Sequence, residues 1–193
     1  MSPALFLDRD GVVNVDRDYV FRREDFDWQP GIFDLARTAH RAGLPIVIVT
    51  NQSGIGRGYY SEVDFQALTT WMRTRFEDEG APIRAVYHSP HHPEAARPEY
   101  RAADHPWRKP RPGMLLAARD EHGLDLVNSI MIGDRVSDIE AGAAAGVGTL
   151  VLVSEHSAEL STRPTHRFTT ILETATWFAG EMALRDLALT RNR

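Results

Sequence analysis

The 193-residue sequence predicts an α/β fold, a three-layer sandwich around a central, mainly parallel sheet. Two observations predict it. Apolar runs of four to six residues alternate with longer stretches of helical period, the pattern of buried parallel strands covered by helices. Acidic residues follow directly on two of those runs, at strand ends where open α/β sheets carry their ligands.

Strands are expected at residues 4–7, 44–49, 83–87, 129–132 and 149–153. Between them, 32–42 reads as a helix, with Pro30 near its start and Gly43 past its end. Ser61 and Asp64 have capping-box spacing and open a helix running to about residue 79, closed by Gly80. Pro112 starts another that ends near His122 and Gly123. The Ala-rich stretch 136–145 is stopped by Gly146, and 170–189 is expected to be helical with a fraying end.

A length of 193 residues with 42% apolar composition suits one domain spanning 1–193. The one composition break is 88–112, rich in Pro and His, which reads as a long loop, either functional or mobile. No apolar run approaches the roughly 20 residues of a membrane span. A net charge of −5 argues against a nucleic-acid surface. The chain has no cysteine, hence no disulfide or thiolate metal site, and it enters its first strand without a basic leader. A cytoplasmic monomer without membrane or nucleic-acid partners is expected.

Asp8 and Asp10 sit at the end of the first strand, and Gly11 lets the chain leave extended geometry so that both carboxylates converge. Asp134 follows the fourth strand, and Asp138 four residues on either caps the next helix or orients Asp134. Together these oxygens suit magnesium. The second strand ends in Thr50, Asn51, Gln52 and Ser53, donors suited to phosphate oxygens, and Lys109 precedes a helix start. Each feature alone has a plainer use as a turn, a helix cap or a solvated charge.

In this order the four signals resemble the haloacid dehalogenase superfamily of phosphohydrolases. The stretches 7–14, 49–55, 90–93, 108–110 and 112–114 are similar to the heptose-bisphosphate phosphatases and their histidinol-phosphatase relatives, over roughly 4–153. The resemblance implies a Rossmann-like fold, Asp8 as nucleophile and Asp10 as general acid/base. It implies magnesium on Asp8, the Asp10 carbonyl and Asp134, with Thr50, Asn51 and Lys109 neutralising the phosphoryl group. Asp16, Arg17, Asp18, Tyr19, Gln52, Ser53, Arg108 and Arg135 are then expected to meet the rest of a small phosphorylated sugar. The implied reaction removes the 7-phosphate of D-glycero-D-manno-heptose 1,7-bisphosphate through an aspartyl-phosphate. Histidinol phosphate or another small phosphomonoester is the alternative.

Phosphoryl transfer also asks that Asp10 sit where ionisation is disfavoured in the first step. About forty residues separate the Asp8 and Thr50 motifs, too few for a large cap, so selection falls to a specificity loop at about 88–110. In relatives that loop often carries zinc on three Cys and one His. Here the matching positions are Ser89, His91, His105 and Trp107, so the site is absent or rebuilt with His88, His92 and Asp104, and no zinc is expected. A silent phosphate-binding protein would be expected to have lost Asp8 or Asp10, and a phosphotransferase to carry a cap.

Overall fold

Strand β1 (Leu5–Leu7) lies at the middle of a six-stranded sheet, flanked by β2 (Ile46–Asn51) and β4 (Ile130–Gly133). The computed structural model describes residues 1–155 and 162–191, the last four of these by backbone alone. With β3 (Ile83–Ser89), β5 (Thr149–Val153) and β6 (His166–Phe168), the order is β3-β2-β1-β4-β5-β6, and every pairing is parallel. The chain crosses from one half of the sheet to the other between β3 and β4. The resulting crevice opens at the carboxyl ends of β1 and β4.

Side chains alternate across the sheet with period two. Leu5 and Leu7 point into a core with helices α1 (Ile32–Arg41), α3 (Glu62–Asp78) and α6 (Ile171–Arg191). Phe6 points the other way, into a core with α4 (Gly113–His122) and α5 (Val136–Ala145). These are the three layers. Both faces of β1 are sealed, and fully burying each such side chain is worth roughly 1.5–3 kcal/mol, which holds so short a strand in place. Phe6→Ala would open a cavity in the second core at a cost of roughly 3–5 kcal/mol.

Three elements depart from expectation. Ser53–Arg57 forms a short helix, α2, that was not expected. It fits because a Cβ on Gly56 would come within 2.3 Å of the Pro90 carbonyl. Strand β3 runs on through Ser89 into the expected loop, pairing Asn51 with Ser89. Strand β6 was not expected, being three residues long and only partly buried. The Ser61–Asp64 capping box forms as read. Between β1 and α1 the chain holds one short 3₁₀ turn, Arg23–Asp25, and no inserted cap domain. No helix among the described residues is long and apolar enough to cross a membrane.

Candidate active site

The Asp8 amide donates to the Ile132 carbonyl at 3.0 Å, so the end of β1 is still tied to β4 when the chain turns. The turn depends on Gly11, which has φ 90°, and a Cβ there would lie 2.3 Å from Asp134 Oδ2. The motif thus needs glycine both for its backbone and for the space beside Asp134.

Lys109 enters the same spot from the loop before α4. Asn51 clamps its main chain at both ends, accepting from the Lys109 amide and donating to its carbonyl, each at 3.0 Å. The buried ammonium donates to the Val49 carbonyl at 2.8 Å and pairs with Asp8 Oδ1 at 2.9 Å and Asp138 Oδ1 at 2.6 Å. It is no surface charge.

Asp8, Asp134 and Asp138 bring one oxygen each to within 4.8 Å of one another. Asp138 is already engaged by Lys109 and by the Arg135 amide, which donates to Oδ2 at 3.0 Å, so it caps α5 and supports the cluster. Asp134 Oδ1, in contrast, is buried without a partner. Burial pushes the Asp8 carboxyl up to about 7, with Asp138 and Asp10 adding to it and Lys109 opposing. Burial, then Asp8 and Asp138, pushes Asp134 up to about 8. Hard oxygen donors, surplus negative charge and an orphaned carboxylate oxygen fit a magnesium ion.

Asp10 turns its carboxylate elsewhere. Oδ1 accepts from Arg9 at 2.8 Å and Asn14 at 3.0 Å; Oδ2 accepts from Gln52 at 2.9 Å and Arg9 at 3.2 Å. Burial works against the charge, but the Arg9 guanidinium with Asn14 and Gln52 outweighs it and holds the carboxyl below its usual range. The expectation that this environment disfavours ionisation is therefore corrected: in this state Asp10 is kept as a carboxylate. Arg9, Asn14 and Tyr60 were not singled out in the sequence. Arg9 and Asn14 lie within the first motif, whereas nothing local marks Tyr60.

A cleft of about 400 Å³ opens over these groups and is lined by Asp8, Asp10, Thr50, Asn51 and Lys109. Asp16, Asp18, Tyr19, Gln52, Ser53, Arg108 and Arg135 line it too. Arg17 does not, because it turns to Asp27 on the exposed side, Nε to Oδ2 at 2.9 Å. Arg135 reaches Asp16 Oδ2 at 2.7 Å, so that one ion pair ties the loop after β1 to the loop after β4. Asp18 and Tyr19 both hold left-handed backbone, φ 55° and 56°, a conformation non-glycine residues rarely adopt and one concentrated at functional sites. The half-buried Arg108 donates to the His91 carbonyl at 2.8 Å, and burial, Arg57 and Arg135 lower its pKa.

In the 88–110 loop, the His91 and His105 rings stack at 3.4 Å, 5° from parallel. Ser89 Oγ lies 3.4 Å from His91 Nδ1, and the Trp107 amide donates to His105 Nδ1 at 3.2 Å. His88 meets Glu62, His92 meets Arg57, and Asp104 pairs with Arg111. The residues that could have rebuilt a zinc site thus have other partners. Among the described residues, the acidic trio is the one group with three ligand atoms so close together.

Fold and site together define a hydrolase of the HAD-hydrolase-like class, whose family model matches residues 106–176. The D-glycero-alpha-D-manno-heptose-1,7-bisphosphate 7-phosphatase of Burkholderia mallei is 52% identical over 80% of this chain and 82% of its own. The D-glycero-beta-D-manno-heptose-1,7-bisphosphate 7-phosphatase of Vibrio cholerae is 48% identical over 79% and 81%. The crystal structure of the D,D-heptose 1,7-bisphosphate phosphatase from B. bronchiseptica, complexed with magnesium and phosphate, is similar with a TM-score of 0.78. It shares 26% identity over 93% of this chain and 99% of that one. The chain belongs to the heptose-1,7-bisphosphate 7-phosphatase family of haloacid dehalogenase-like hydrolases.

Proposed function

We propose that the protein is a magnesium-dependent phosphatase that removes the 7-phosphate of D-glycero-D-manno-heptose 1,7-bisphosphate through an aspartyl-phosphate on Asp8. The observation that carries it is the buried Asp8–Lys109 contact beside the orphaned oxygen of Asp134. A carboxylate attacks phosphorus only where the phosphate's own charge is neutralised. Magnesium, held by Asp8, Asp134 and the Asp10 carbonyl, would supply part of that neutralisation.

Asp8 attacks in line and the bond to the leaving oxygen breaks, while Lys109 and the Thr50 hydroxyl take up charge on the transferring oxygens. Asp10 delivers a proton to the leaving alkoxide and takes one from the water that later hydrolyses the acyl-phosphate. Because Asp10 rests as a carboxylate, it must gain its proton as substrate enters. A phosphate dianion nearby and the expulsion of water both raise its affinity for one.

Arg108, with Arg57 and Arg135 as its charged neighbours, favours a substrate with a second anionic group over histidinol phosphate, which has one. The curated relatives divide between the two anomers. Assaying both anomers of the bisphosphate, histidinol phosphate and simple phosphomonoesters with magnesium tests the reading through relative kcat/KM. The histidinol phosphate alternative wins if that compound leads. We also propose a monomer in the cytoplasm, one domain over 1–193, with the 88–110 loop selecting substrate and no zinc in it. The engaged side chains of His88, His92 and Asp104 support the last point.

A further inference from the structure

Gln52 lines the cleft, yet its side chain has almost nothing left for a substrate. It is 2% exposed. Nε2 donates to Asp10 Oδ2 at 2.9 Å and to Thr50 Oγ1 at 2.8 Å, which spends both amide hydrogens. Oε1 accepts from the Tyr60 hydroxyl at 2.5 Å. Turning the amide over would set its oxygen against the Asp10 carboxylate, so two neighbours fix one orientation.

We infer that Gln52 is a positioning residue: held by Tyr60, it anchors Asp10 and sets the direction of the Thr50 hydroxyl, instead of contacting the sugar. A threonine hydroxyl has one hydrogen. With Gln52 donating to its oxygen, that hydrogen is released to point into the cleft, where the phosphoryl oxygens must be met. Without Gln52, Thr50 is free to turn its hydrogen toward Asp10 or the main chain, and Asp10 loses one of the four donors that hold it.

The inference rests on the phosphatase reading, and a substrate without a sugar separates the two. Wild type, Gln52→Met and Gln52→Glu are assayed with magnesium on an aryl phosphate and on the heptose bisphosphate, with thermal unfolding as a check on the fold. Gln52→Met matches the volume but donates nothing. It is expected to lower kcat on both substrates by about 10- to 100-fold while KM moves less than about threefold, the signature of an interaction used in the transition state. An unchanged kcat on the aryl phosphate with a raised KM for the bisphosphate alone would make Gln52 a substrate contact and overturn the inference. If Gln52→Met unfolds below the assay temperature, Gln52→Glu is read in its place: it keeps the shape but sets an acceptor against Asp10. The same kcat loss is expected, and wild-type kcat would overturn the inference. Failure of the wild type on every phosphomonoester would instead remove the phosphatase reading beneath it.

Discussion

Lys109 and Asp138 form a fully buried ion pair of 2.6 Å, closer than the 2.9 Å between the same ammonium and Asp8. In the proposed mechanism the lysine therefore serves the fold as well as the chemistry. Removing one partner of such a pair leaves an uncompensated buried charge, at a cost of roughly 3–5 kcal/mol. Lys109→Ala is expected to lower stability by that order in urea unfolding and to cut kcat for every substrate. Lys109→Arg should not rescue it, since a planar guanidinium cannot take the place of a compact ammonium bonded to Val49 O and two carboxylates.

Asp8→Asn should abolish turnover and leave the fold intact, because an amide of the same size cannot form the acyl-phosphate. Its metal-free form should melt above the wild type, since one of three crowded carboxylates is gone. Beryllium fluoride should build an acyl-phosphate mimic on wild-type Asp8 and not on the variant. Near-normal turnover by Asp8→Asn would end the covalent mechanism.

Asp10→Asn should fail selectively, losing most activity on alkyl phosphates and less on aryl phosphates, whose leaving groups need little protonation. Steady-state kinetics on one substrate of each kind measures the gap. An equal loss on both would mean that Asp10 acts through Arg9 and Gln52 on the shape of the site, not through its proton.

Stability should depend on pH with a sign opposite to that of an ordinary salt-bridged carboxylate. Asp8 is raised to about 7 and Asp134 to about 8 from a reference of 3.8. Across that window the folded protein holds protons that the unfolded chain has released, so metal-free stability falls as pH rises and levels off above about 8. Each 1 kcal/mol moves Tm by roughly 2–4 °C in a chain of this size. Magnesium displaces those protons, so the Tm gain on adding it should grow with pH over the same range. His91 and His92, held below their usual range by burial and neighbouring cations, act in the opposite sense below about pH 6.5, so a metal-free Tm that climbs between about pH 6.5 and 8 would contradict this. The chelated enzyme should regain activity with magnesium, and elemental analysis of the purified protein should find no stoichiometric zinc.

Arg108→Ala should reduce kcat/KM for the bisphosphate by roughly 1–3 kcal/mol, as for a charge-assisted contact, and hardly affect small monophosphates. Its bond to the His91 carbonyl offers a competing role in holding the loop. Measuring both substrate classes separates the two, and an equal drop on each would assign Arg108 to the loop.

The central strands were legible because both their faces are buried, which turns them into nearly continuous apolar runs. Strand β6 was not, because its three residues take their place from pairing with Val151–Val153 and show no period of their own. Asp8 and Asp134 could be read because each follows directly on a strand. The state of Asp10 could not, because it depends on a guanidinium that folds over from the preceding residue and on an amide 42 positions away. Cysteine's absence from the 88–110 loop was plain, but the stacking of His91 on His105 is a meeting of distant turns that no spacing announces.

The position of β1 at the sheet's centre sets a timetable for synthesis. Its neighbour β2 leaves the ribosome soon after it, but β4 and the Asp138 that completes the charge balance come more than eighty residues later. Until then a nascent chain carries β1 with one edge unpaired and Asp8 without its opposing wall. Such long-range closure slows folding and leaves strand edges open to mispairing. A fragment that ends between α4 and α5 contains Asp8 and Lys109 but not the Asp138 that pairs with that lysine.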